Sequence, residues 1–177
     1  GTGRYNLAGT GTQTAGLAAG GYSPAVAATA VVEEYNGSAW SEVNNIPTAT
    51  NNIRGFGSQT ASVAAGKIGA VATYEYDGTN WTGGGDMNTA RGIGTCNGTL
   101  TAGLYAGGYN SGANVDDSES YNGTSWTSTN DVNTARRGGQ SAGTLTAAVL
   151  MAGLNSTGYP SSKNVEEFFL IFYLKIY

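Results

Sequence analysis

Asp116, Asp117 and Glu119 stand together in the stretch NSGANVDDSES. Clustered carboxylates are the raw material of general acid–base hydrolysis, and with nearby carbonyls they can hold a weak calcium ion. Their setting here is polar, which is the pattern of a solvated loop. The chain has no histidine, which removes the usual base and ligand and with it a Ser-His-Asp triad and most zinc sites. Cys96 is the sole cysteine, so an internal disulfide and a cysteine-based metal cluster are excluded. No catalytic residue, metal ligand or cofactor is expected, and a carboxylate-dependent enzyme ranks behind every non-catalytic reading.

Aromatic side chains are the other candidates. Tyr35, Tyr76 and Tyr121, with Trp40, Trp81 and Trp126, have the chemistry of a carbohydrate-stacking set. Their spacing is invariant, which points instead to packing. Arg91 and Arg136 read as structural donors to loop carbonyls. Asn36, Asn80, Asn97, Asn122 and Asn155 each open an Asn-x-Ser/Thr acceptor pattern, but Asn36 and Asn122 precede glycine in turn-forming segments, and turn chemistry accounts for them without a sugar.

These residues belong to a repeat. Three segments read Tyr35-Asn-Gly-Ser-Ala-Trp40, Tyr76-Asp-Gly-Thr-Asn-Trp81 and Tyr121-Asn-Gly-Thr-Ser-Trp126. Thr50, Arg91 and Arg136 each follow the tryptophan by ten residues. Gly21, Lys67, Gly108 and Gly153 lie 17 residues after Arg4, Thr50, Arg91 and Arg136, and those four anchors are 46, 41 and 45 residues apart. Asn-Gly or Asp-Gly between strand-forming residues predicts a hairpin, with Gly37, Gly78 and Gly123 at the second central position of type I′ turns. TLTAGLYAGG and TLTAAVLMAG read as strands running into a glycine turn. Each unit thus holds four strands, a size and content that match a propeller blade. Glycine and alanine in the first two strands suit blades that crowd towards a central axis.

The order Gly-Gly, Tyr, Trp, then an arginine-bearing loop resembles the kelch repeat. Gly20-Gly21, Tyr35 and Trp40 carry it, as do Tyr76, Trp81 and Arg91, and Gly107-Gly108, Tyr121, Trp126 and Arg136. The resemblance spans nearly the whole chain and implies an all-β fold: a β-propeller of about four four-stranded antiparallel blades, at roughly 4–49, 50–90, 91–135 and 136–177, in a single domain over 1–177. Kelch-like propellers usually close with more blades, so an incomplete propeller is expected, completed by further blades of a parent chain or by an oligomer. The sequence departs from the pattern at Gly66-Lys67, at Gly153-Leu154, at Thr50 in place of arginine, and after Val165-Glu-Glu-Phe168. The tail Phe169 to Tyr177 lies outside the repeat and reads as a truncated or frame-shifted end, the alternative being an improvised last strand. Some kelch-like propellers are copper oxidases with His and Tyr ligands, an activity this histidine-free chain does not match. YNGTSW is superficially similar to the Asp-box of sialidase-type propellers, but Tyr121 stands where that motif has Asp.

Charged residues are only 11% of the chain and the net charge is −4, without the basic cluster that nucleic-acid binding needs. The apolar run Phe168 to Tyr177 contains Lys175 and is about half the length of a membrane span. Neither nucleic acid nor membrane is an expected partner. Length varies between copies only from the glycine pair to the next tyrosine position, and repeat proteins place such variation on their binding face. Tyr22, Ser23, Pro24, Tyr109, Asn110, Asn114, Asp116, Asn155 and Tyr159 therefore form the candidate ligand-binding set, combining rigid tyrosines with adaptable asparagines. The expected function is a non-catalytic module that binds a protein or glycan, in an extracellular or virion-associated setting. The alternative is a structural component of a virion or surface appendage.

Overall fold

The computed structural model of the chain describes residues 3–25, 27–155 and 165–168. These residues are all-β. The first repeat forms β1 (Ala8–Gly11), β2 (Gly16–Ala19), a short pair β3 (Tyr22–Ser23) and β4 (Ala27–Ala28), then β5 (Val32–Tyr35) and β6 (Trp40–Val43). Strands β1-β2-β5-β6 make one four-stranded antiparallel sheet. The second repeat gives β7 (Arg54–Ser58), β8 (Ala61–Lys67), β9 (Ala70–Tyr76) and β10 (Trp81–Gly83), and the third gives β11 (Thr95–Thr99), β12 (Ala102–Asn110), β13 (Ala113–Tyr121) and β14 (Trp126–Ser128). Both are four-stranded antiparallel sheets with sequential neighbours. In the fourth, β16 (Gln140–Thr144), β17 (Ala147–Met151) and β19 (Val165–Phe168) form a sheet, while β15 (Arg136–Arg137) pairs with β18 (Leu154–Asn155). The tail Phe169 to Tyr177 lies outside the described residues.

The repeat-spaced hairpins form, but not as type I′ turns. Tyr35 pairs with Trp40, Tyr76 with Trp81 and Tyr121 with Trp126, so Asn36, Asp77 and Asn122 open longer loops. Only the glycine is left-handed, with φ of 91° at Gly37 and 92° at Gly78 and Gly123. The reason is the preceding side chain: Asn36 Oδ1 accepts from the amides of Ser38 and Ala39, Asp77 Oδ1 from Thr79 and Asn80, and Asn122 Oδ1 from Thr124 and Ser125. An Asx bond supplies the acceptor that a primed turn would have drawn from the backbone.

The sheets stack through their first strands: β1 packs on β7, β7 on β11 and β11 on β16. Among the described residues no comparable packing brings β16 back to β1. Close approach explains the small residues of the first two strands. A Cβ on Gly55 would lie 2.8 Å from Thr10 Cγ2, and one on Gly103 would lie 2.1 Å from the Phe56 ring.

Three apolar cores fill the spaces between successive sheets. The first joins Leu17, Ala19, Val32 and Ile46 to Ile53, Ala64, Tyr76 and Trp81. The second joins Phe56, Val63, Ala65 and Met87 to Tyr105, Tyr121 and Trp126. The third joins Leu104, Ala106 and Val132 to Ala148 and Leu150. Alternation along each strand sends one set of side chains to the preceding sheet and the other to the following one.

Candidate functional site

The connections from second to third strand emerge at the end of the stack where the first strands begin. Tyr5 bridges Tyr22, Gly92 bridges Tyr109 and Arg137 pairs with Leu154, tying the entering segment to the start of the variable connection in the first, third and fourth repeats. In the first repeat this connection carries the β3–β4 pair. There Tyr22 is half-buried and stacks on the exposed Tyr5 at 5.2 Å, Pro24 is exposed, and Ser23 is buried with no partner for its hydroxyl.

In the third repeat the expected loop is strand. Tyr109 and Asn110 end β12, Asn114 and Asp116 lie in β13, and only Ser111 and Gly112 turn between them. The extended hairpin reaches the fourth repeat: Asn114 Nδ2 donates to the Leu154 carbonyl at 2.8 Å, Arg137 donates to Asn114 Oδ1 at 3.1 Å, and the Arg137 guanidinium sits 4.4 Å from the Tyr109 ring centroid. Asp116 is exposed, and half-buried Asn155 lies beside Arg136 in the β15–β18 pair. Tyr159 lies outside the described residues. The structure thus gathers Tyr109 and Asn114 into one polar junction and leaves Tyr22, Ser23 and Pro24 in a separate first-repeat hairpin.

A cavity of about 430 Å³ opens among the first strands and is lined from all four repeats by Leu7, Arg54, Thr95, Cys96, Gln140 and Ser141, among others. Arg54 is anchored by bonds from Nε to the Gly94 carbonyl and from Nη1 to the Ile53 carbonyl. Burial pushes the Cys96 thiol up to about 12, although the residue as a whole is half-buried, and its Sγ donates to the Gly55 carbonyl at 3.1 Å. A thiol held protonated is not a nucleophile at neutral pH. The wall offers hydroxyl, amide and guanidinium donors, which suit a polar group and give no base. Two residues before each first strand, equivalent positions of the four repeats are left-handed: Asn6, Asn52, Ile93 and Gly138 have φ of 54°, 60°, 57° and 66°. Asn6 Nδ2 donates to Asn52 Oδ1, the Ile93 amide to the Asn52 carbonyl and the Gly138 amide to the Ile93 carbonyl, a relay that links successive repeats.

The carboxylate cluster comes apart. Glu119 does not belong to a solvated loop: it is 1% exposed in β13 and ion-paired to the fully buried Arg91. It also accepts from the amides of Asn88 and Thr89 and from Asn88 Nδ2. Strand alternation puts Glu119 on the same face of β13 as the buried Tyr121 and Asp116 on the opposite face. Arg91 further donates to the carbonyls of Thr89, Gly107 and Tyr105, and Arg136 donates to those of Thr134 and Ala152. The Arg91 stem lies against Gly108, where φ is 130° and a Cβ would stand 3.5 Å from Arg91 Cβ. The glycine pair is explained by the backbone: a Cβ on Gly108 would stand 2.9 Å from the Gly92 carbonyl oxygen, and one on Gly107, where φ is 60°, 2.7 Å from that of Arg136. Among the described residues no group of three or more carboxylates or thiols could hold a metal ion.

The ion pair recurs with the repeat, at positions the sequence spacing marks. Arg4 and Glu33 form the same bridge as Arg91 and Glu119, at 2.9 Å; in the second repeat Thr50 and Tyr74 replace both members at once. The aromatic pairs stack with centroids 4.8 Å apart for Tyr76–Trp81 and Tyr121–Trp126. Tyr76 donates to Glu34 at 2.9 Å and Tyr121 to Glu75, each on the preceding sheet, and Trp126 Nε1 donates to Thr73 Oγ1 at 2.9 Å. Burial and the Glu75 bond push the Tyr121 hydroxyl up to about 12. These aromatics join sheets rather than ligands. No protein-family model matches the chain, and no curated protein matches it.

Proposed function

We propose that the four sheets are kelch-like blades of an incomplete β-propeller, and that the chain is a non-catalytic module binding a protein or glycan at the end that carries the second-to-third-strand connections. One observation supports this reading: the connections that vary in length between repeats start, in the first, third and fourth repeats, beside the segment that enters the first strand, at one end of the stack. There a stacked Tyr5–Tyr22 pair and a Tyr109–Arg137–Asn114 junction offer aromatic faces and hydrogen-bonding groups. Aromatic faces take sugar rings or apolar side chains, and amides and guanidinium fix orientation. The buried aromatics Tyr76, Trp81, Tyr121 and Trp126 and the buried arginines belong to the scaffold and are not available to a ligand. The described residues that line the cavity are hydrogen-bonding groups and a guanidinium rather than a general base, which supports binding as the chemistry on offer.

The test is a glycan and protein-ligand panel, followed by Tyr22→Ala, Tyr109→Ala and Asn114→Ala in the responding assay. Loss of binding with unchanged melting supports the reading. Binding that survives all three changes moves the site elsewhere. The structural-component reading is favoured by one feature, the exposed apolar face of the first sheet around Trp40, which suits assembly.

A further inference from the structure

Each internal junction has a donor face and an acceptor face. The donor face of the second sheet presents Ile53, Ala64, Tyr76 and Trp81, and the acceptor face of the first presents Leu17, Ala19, Val32 and Glu34. In the first sheet the donor positions are Leu7, Ala18, Tyr35 and Trp40. These line an open groove of about 680 Å³, and Trp40 is 49% exposed where Trp81 and Trp126 are 9% and 6%.

The fourth sheet carries the other half. β5 reads Val-Glu-Glu-Tyr and β19 reads Val-Glu-Glu-Phe, and they pair with β2 and β17 in the same register, Ala19 with Val32 and Leu17 with Glu34, Met151 with Val165 and Val149 with Glu167. Glu167 therefore holds the position of Glu34 and Glu75, the two carboxylates that accept a tyrosine hydroxyl from the next sheet. Val165 holds that of Val32, which is fully buried in the core it shares with Trp81. Glu167 and Met151 are exposed, and Val165 is 62% exposed. At the third junction Phe168 stands where the tyrosine would be and Ser120 where its carboxylate would be. Donor and acceptor are lost together there, which leaves Tyr35 and Glu167 as the two unmatched halves.

We infer that this chain associates head to tail with a second copy of itself, the fourth sheet of one copy receiving Tyr35 and Trp40 of the other, with Glu167 accepting the Tyr35 hydroxyl. A second copy is the occupant because the faces match in apolar content, register and hydrogen-bonding sense, and because among the described residues no packing of β16 on β1 compares with that between successive sheets. The junction continues the three internal interfaces with the same chemistry. It is heterologous, so two different surfaces meet and each can be disabled separately. The inference depends on sheet stacking and not on the connection end, so alanine changes at Tyr22, Tyr109 and Asn114 leave it untouched.

The test is sedimentation and light scattering of the full chain over a concentration series, with Trp40 emission followed in parallel. The wild type is expected to gain mass with concentration as the emission moves to the blue. Trp40→Ala removes a central anchor of the donor face and is expected to weaken association by about 30-fold. Glu167→Lys on the acceptor face is expected to abolish it, with circular dichroism of both variants unchanged. The decisive arm mixes the two variants: each is monomeric alone, yet together they keep one intact donor and one intact acceptor face, so a one-to-one complex forms. A wild type that stays monomeric throughout overturns the inference, whether Trp40 remains solvated or is already shielded by closure within one chain. So does association that both variants retain, or a mixture that stays monomeric.

Discussion

Trp126 gives the most direct measure of how the sheets are held together. Its indole is 6% exposed, packs edge-on to Phe56 and Tyr105, and donates Nε1–H to Thr73 on the neighbouring sheet. Truncation to alanine in such a site costs about 3–5 kcal/mol through lost transfer energy and the cavity left behind. The orphaned Thr73 hydroxyl, itself 2% exposed, adds about 1 kcal/mol. For a chain of this size each kcal/mol lowers the melting temperature by roughly 2–4 °C, so Trp126→Ala should melt on the order of 10–15 °C below wild type. Two companions make the reasoning specific. Trp40→Ala, at low concentration, removes a half-exposed ring and should change stability by less than about 0.5 kcal/mol. Trp126→Phe should cost more than Trp81→Phe, because the buried Trp81 Nε1 has no acceptor to lose. The assay is thermal and urea unfolding followed by circular dichroism. If Trp126→Ala and Trp40→Ala melt together, the tryptophans do not clamp one sheet to the next.

Gly78→Val should cost more than about 1–2 kcal/mol, since φ is 92° there and the new Cβ would meet Thr60 at 3.2 Å, whereas Gly83→Val in β10, with open space around it, should be neutral or stabilising in the same urea titration. Glu119→Gln leaves Arg91 buried without its counter-charge and should cost about 3–5 kcal/mol; the double change Arg91→Thr with Glu119→Tyr, copying the second repeat, should cost less than the sum of its single variants in a double-mutant cycle. Tyr105 and Tyr121 are both pushed up to about 12 from an ordinary 10, chiefly by burial. Their neutral forms are favoured in the folded state, so this contribution is complete below pH 10 and is lost as pH rises towards 12. Melting temperature should fall across that window while tyrosinate absorbance lags behind that of free tyrosine, and a flat profile would contradict the burial.

The repeat, its four-strand content and the all-β class were legible in the sequence because a hairpin with Asn-Gly or Asp-Gly is a local signal: Tyr35 meets Trp40 across a few residues, and nothing distant is needed to close the loop. The between-sheet role of Tyr76, Trp81, Tyr121 and Trp126 was legible for a related reason, since a repeated spacing marks a repeated neighbour, but the same spacing did not reveal that Trp40 in the first sheet is left half-exposed. Turn type was not, because whether backbone or the Asn36 side chain satisfies the loop amides is a competition between nearly equal local geometries. Nor was the fate of Glu119: its neighbours Asp116 and Asp117 give the segment a solvated look, and only the register of β13 against β12 decides which carboxylate faces Arg91. The connection at Tyr109 and Asn114 became strand because its polar groups found partners on the fourth repeat at Arg137 and Leu154, a contact forty residues away in the chain. Side-chain type and local spacing set which hairpins form, whereas burial, ion pairing and the facing of each carboxylate follow from alternation across sheets that meet only when the chain has stacked.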